Sequence, residues 1–141
     1  MNRPFYVVTF QQSLERVLRK QGFLDDFYDH FIRQSPEVAG FFKHKDMEAL
    51  KHKLDTTLHT LIEVAEGRPG TQLYTEMLGR IHRRLGVGEH HLDQWMDALL
   101  ETVARYDDAY DSQVAEAWSR VIEMIISRMY PQRQSSAKVV G

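Results

Sequence analysis

Leu78-Gly79-Arg80-Ile81-His82-Arg83-Arg84-Leu85-Gly86-Val87 is the stretch whose reading decides the fold. Leu78, Ile81, His82 and Leu85 recur at three- and four-residue steps, which places them on one side of a helix. Arg80, Arg83 and Arg84 occupy the rest of the circumference, and Gly86 stands where a left-handed residue stops a helix. One imidazole therefore projects from an otherwise apolar face. Such a histidine is either a core residue with a satisfied ring or a ligand, and the rest of the chain has to decide between them.

The composition narrows the choice. A chain of 141 residues, 43% of them hydrophobic, is expected to form one domain with its own core. A net charge of -2 argues against nucleic acid or a membrane surface as a partner held by bulk electrostatics. With no cysteine there is no disulfide, thiolate nucleophile or zinc–thiolate site, so metal chemistry must come from His, Met, Tyr or carboxylate. No apolar run approaches a membrane span, and Met1 to Phe10 makes a poor signal peptide. A cytoplasmic protein is expected.

Outward from the opening stretch, the pattern is helical throughout. Val8 to Lys20 carries Val8, Phe10, Leu14, Val17 and Leu18 at helical spacing, and Gly22 breaks it. Phe23 to Gln34 places Phe23, Leu24, Phe27, Tyr28 and Phe31 on one face. Ser35 and Pro36 form a helix start, and the short turn after them ends in Phe41-Phe42. Asp46 caps a helix to about Glu66 whose stripe is Met47, Leu50, Leu54, Leu58, Leu61, Ile62 and Ala65. Gly67-Arg68-Pro69-Gly70 is a loop, and Thr71 caps the helix that ends at Leu85. Two more helices follow, Glu89 to about Tyr106 and Ser112 to about Tyr130, before Pro131. The expected architecture is all-α, six or seven helices in a single domain over residues 1–131, with a flexible polar tail over 132–141.

Seven histidines raise the question of a metal cluster. At about 100° per residue, His52 falls opposite the stripe of Leu50, Leu54 and Leu58, which puts it in solvent with His59. His90 and His91 are adjacent and should diverge in direction; His44 sits in a linker and His30 on a polar flank. No His-Glu-x-x-His spacing, phosphate loop or Ser/His/Asp arrangement occurs. His82 is the remaining candidate. Tyr28 is the other polar member of an apolar face, with its hydroxyl drawn inward to a partner or its tip reaching water.

Tyr28, Ser35-Pro36-Glu37-Val38, Phe41-Phe42, His82 with Gly86-Val87 and His91-Leu92, and Ala117-Trp118 resemble, in order and spacing, the globins. The resemblance is to the single-domain bacterial haemoglobins and covers about Phe23 to Met129. It implies a globin fold around haem b (iron protoporphyrin IX). His82 would be the proximal iron ligand, with the opposite site open to O2, NO or CO. Leu78 would supply the carbonyl that orients its ring. Phe42, Leu54, Leu58, Val87, Leu92 and Met96 would wall the porphyrin, and Arg83, Arg84, Lys51 or Lys45 would meet its propionates. The family's distal position lies 32 residues before the proximal histidine and falls on Leu50, whereas a count forward from Phe42 gives His52. Helical phase favours Leu50, which leaves Tyr28 as the distal hydrogen-bond donor. Flavohaemoglobin-type globins carry a tyrosine where this chain has Leu92, so peroxidase chemistry should be weak. No flavin or nicotinamide domain is expected, so nitric-oxide dioxygenation would need a separate reductase.

The resemblance implies reversible oxygen binding and transport by a monomer or homodimer. Two other classes compete with it. One is a haem-based gas sensor acting through a separate partner protein, and the other a globin-fold signalling module without haem. Closure of the sixth iron site by Tyr28 or His52 is a further alternative.

Overall fold

A computed structural model describes residues 4–131. The tail expected over 132–141 lies outside the described residues. Seven helices follow one another: α1 (Phe5–Leu18), α2 (Phe23–Ile32), α3 (Pro36–Phe41), α4 (Met47–Ala65), α5 (Thr71–Arg84), α6 (Glu89–Tyr106) and α7 (Ser112–Met129). There is no strand among the described residues. The packing joins helices distant in sequence: α1 and α5 on α7, α2 on α6, and α4 on α1 and α7.

Local chemistry sets most of the boundaries. The Ser35 hydroxyl accepts from the Val38 N–H at 3.1 Å and Pro36 opens α3. Asp46 accepts from the Glu48 and Ala49 N–H groups at the start of α4. Asp111 does the same for Val114 at the start of α7. Two boundaries differ from expectation. α1 begins at Phe5, and its buried face runs through Val7, Phe10, Leu14 and Val17 while Val8 is half-buried. Gly70, at φ 88°, caps α5, and Thr71 is its first residue, with its hydroxyl donated back to the Arg68 carbonyl at 2.7 Å.

The end of α5 is closed by a pair of bonds that needs Gly86 at φ 86°. The Gly86 N–H reaches the Arg83 carbonyl at 3.0 Å and the Val87 N–H the His82 carbonyl at 2.9 Å. That motif holds the backbone of His82 and Val87 in one unit.

The core sits between α1, α2, α4, α6 and α7. The Phe10 ring meets Trp118 edge-on at 4.7 Å, a contact worth about 1 kcal/mol beyond the area buried. Beneath it the indole of Trp118 donates to Ser13 at 2.8 Å, and Ser13 donates to Asp107 at 2.5 Å. Arg16 closes the network with two bonds to the same carboxylate, at 2.6 and 3.0 Å. Burial pushes the Asp107 carboxyl up, but its hydrogen bonds from Arg16, Ser13 and the Ala109 N–H outweigh this and hold it below the usual range.

Candidate functional site

Between α4, α5, α6 and α7 lies an apolar cavity of about 290 Å³, open at one side. Each wall has a reason in the sequence. From α2 and α3 come Tyr28, Phe31, Phe41 and Phe42; from α4, Leu50, Lys53, Leu54, Thr57 and Leu61. α5 contributes Leu78 and His82, and Val87 follows in the connection. α6 adds His91, Leu92 and Trp95, and α7 closes the slot with Ile122, Ile125, Ile126 and Met129.

His82 is the ring whose nitrogen chemistry is determined. Its Nδ1 lies 2.7 Å from the Leu78 carbonyl oxygen. A carbonyl can only accept, so Nδ1 carries a proton, and in the neutral ring Nε2 keeps the lone pair. A neutral imidazole with a free Nε2 at the edge of an apolar slot is the donor that iron requires.

Tyr28 is buried, and its ring meets Phe42 and Phe27 edge-on at 5.6 and 5.0 Å. Its hydroxyl donates to the Leu50 carbonyl at 3.3 Å, a long bond near the limit of useful geometry. Burial pushes the phenol up to about 12, so it remains a protonated donor across the ordinary pH range.

Some residues expected at the site lie elsewhere. Phe42, Leu50, Leu54, Leu78, Val87 and Leu92 line the cavity, but Leu58, Met96 and Arg83 do not. Relative to Leu54, the cavity side of α4 is turned toward Leu50 and Thr57, and Leu58 points about 40° the other way into the core. Met96 belongs to the part of α6 that faces Tyr6 and Ser119, while Trp95 takes the cavity side. Arg83 donates to the Met129 carbonyl at the end of α7 and lies over the Tyr130 ring at 5.5 Å. That position satisfies a helix C-terminus instead of a propionate. Lys51 pairs with Asp25 and Glu48 away from the cavity, and Lys53 is the cation on its lining. Ile81 and Leu85, which the sequence pattern places on the same side of the helix as His82, are exposed. His52 is exposed and is not among the lining residues.

His91 is the residue that sequence reasoning missed. It is 3% exposed and lines the cavity, and its Nδ1 accepts from the Gly88 N–H at 2.9 Å. Its Nε2–H therefore donates to Glu37, at 2.7 Å, and His90 approaches the same carboxylate at 3.4 Å. These hydrogen bonds, His91 first, hold the Glu37 carboxyl below its usual range. His90 and His91 converge, contrary to expectation, because they sit in the first turn of α6 with Glu37 between them. The three groups have metal-ligand proximity. The donor geometry opposes that use, since ligation through Nε2 would put a proton on Nδ1 facing the Gly88 N–H.

The arrangement is a haem-type pocket: an apolar slot with one imidazole, His82, whose Nε2 has no partner among the described residues, and one buried phenol. The residues present fit the group. The globin family matches residues 25–129, and the chain belongs to that family. It is similar, at 33% identity and a TM-score of 0.85, to PA3967 of Pseudomonas aeruginosa PAO1, whose crystal structure is described as structurally highly homologous to a human haemoglobin. The match covers 89% of this chain and 96% of that one. Comparison with curated proteins gave no match. Globins generally bind haem, and this chain is a haem-binding globin whose family implies gaseous ligands such as O2. Among the described residues no helix is long and apolar enough to cross a membrane.

Proposed function

We propose that the protein binds O2 and other diatomic gases (NO, CO) reversibly on haem b held through His82 Nε2. The observation that carries this reading is the 2.7 Å bond between His82 Nδ1 and the Leu78 carbonyl, which leaves the other nitrogen free. Haem supplies an iron with one coordination site open to a diatomic ligand. Leu50, Leu54 and Phe42 keep water from that side of the cavity. By turning from its long bond to Leu50, the Tyr28 hydroxyl would donate to such a ligand. Lys53, at the lining, would meet a propionate. The His82 ring leans on a neutral carbonyl and not on a carboxylate, which favours reversible binding over peroxidase chemistry.

Absorption spectra of the oxidised, reduced and CO-treated protein test the reading directly. The expected result is an intense haem band that shifts on reduction and again on CO addition, with His82→Gly losing the normal pattern. No haem band after reconstitution would sink the proposal.

A further inference from the structure

The outer face of α5 carries apolar side chains in a row. Leu73 is 71% exposed, Met77 46%, Ile81 43% and Leu85 64%. Single exposed leucines are ordinary, but four at four-residue intervals form a continuous ridge along the helix. The ridge lies across the helix from Thr71, Thr75 and Gly79, which are buried. Gly79 seats α5 directly on the end of α7, so the ridge faces away from the body of the protein. One flank of the ridge is formed by Gln72, Glu76, Arg80 and Arg84, again four residues apart. Its N-terminal half is neutral and acidic, and its C-terminal half is basic.

A helix with this arrangement is complementary to itself when turned end for end. An antiparallel second copy sets Leu73 against the copy's Leu85 and Met77 against the copy's Ile81. In such a pair the same flank of both helices meets, as in antiparallel coiled coils. Glu76 then falls between Arg80 and Arg84 of the second copy, and the two-fold axis repeats the contact. A parallel pairing would instead set Arg80 and Arg84 against their own counterparts. We infer that a second copy of this chain docks on the Leu73–Leu85 ridge, forming a two-fold dimer through antiparallel α5 helices.

The contact lies along the flank of α5 next to the side that offers His82 to the cavity, about 100° round the helix from it. A 14-residue helix spans about 21 Å, so the interface is of the small class, below about 1,200 Å², that gives weak and reversible association.

Sedimentation velocity on the full-length chain, from about 10 µM to about 1 mM, tests the inference. A concentration-dependent dimer is expected, and Met77→Asp with Ile81→Asp should leave a monomer with unchanged helical circular dichroism. Glu76→Arg alone, and Arg80→Glu with Arg84→Glu, should each weaken dimerisation about tenfold or more. An equimolar mixture of those two variants should recover the dimer, because each then meets its opposite charge. A chain monomeric throughout that range overturns the inference and leaves the ridge to a different protein. So does a dimer that survives the two aspartates, or a mixture that fails to recover.

Discussion

At the scale of single residues, the roles proposed for Tyr28 and His82 each turn on the state of one proton. His82 keeps its proton on Nδ1 because a carbonyl faces that atom, and Tyr28 keeps its own because burial disfavours the phenolate. Tyr28→Phe removes the donor while preserving the ring contacts with Phe27 and Phe42. The O2 dissociation rate is then expected to rise several-fold, since a net hydrogen bond is worth about 1 kcal/mol. Flash photolysis or stopped-flow displacement by CO measures it, and an unchanged rate would remove Tyr28 from the proposed role. Because the folded-state phenol titrates near 12 and an ordinary one near 10, folding holds a proton that the unfolded chain releases. The stability that this represents is present below pH 10 and declines between about pH 10 and about pH 12, which denaturant titrations at alkaline pH would detect.

At the scale of elements, α5 is placed by two glycines with different tasks. Gly79 lets the backbone of α5 approach α7, because a Cβ there would fall on the Met129 carbonyl oxygen and carbon. Gly79→Ala should improve intrinsic helix propensity by about 1 kcal/mol, yet the clash is with backbone that cannot rotate away. A net destabilisation of about 1–3 kcal/mol is expected in urea unfolding, with a shift in the haem band as α5 and His82 move outward. Gly86 has open space around its Cβ position but a positive φ, so Gly86→Ala should cost only about 1 kcal/mol. A Gly79→Ala variant no less stable than Gly86→Ala would mean that the close approach does not hold α5. The seven helices could be read ahead of the structure because their apolar periods and caps are local signals. Which part of a broad apolar stripe meets the cavity is not local. Leu54 and Leu58 are equivalent by periodicity, and only the rotation of α4 about its own axis, fixed by its packing on α1 and α7, separates them.

At the scale of the molecule, two terms should dominate stability. The first is the cavity. An unfilled apolar void costs roughly 24 cal/mol per Å³, so filling about 290 Å³ is worth on the order of 7 kcal/mol, an upper bound because the slot is open at one side. That is comparable with the whole stability of a domain, about 5–15 kcal/mol. Removal of haem should therefore lower the thermal midpoint by more than 10 °C, roughly, in calorimetry. Equal midpoints with and without haem would contradict the assignment of this cavity. The second is the Ser13–Arg16–Asp107–Trp118 network that ties α1 to the α6–α7 corner. Asp107 titrates below its ordinary 3.8 in the folded state. Its contribution is full above that value and is lost as pH falls through the depressed folded-state value. Asp107→Asn should flatten the acid limb of the stability profile and cost about 2 kcal/mol at neutral pH, since Arg16 loses a charged partner but remains partly exposed.

The amino-acid sequence by itself determined that this chain is helical, where its helices begin and end to within a few residues, and that one imidazole leaves an apolar face at His82. Those properties follow from periodicity, capping side chains and a left-handed glycine, all of which act within a few residues. The partners of each cavity wall were decided by tertiary structure. Arg83 turned to the end of α7, Lys53 took the cavity lining, and His91 met a carboxylate 54 positions earlier in the chain. Such outcomes depend on how α3, α5 and α6 meet, and that geometry exists only once the hydrophobic core has closed around them.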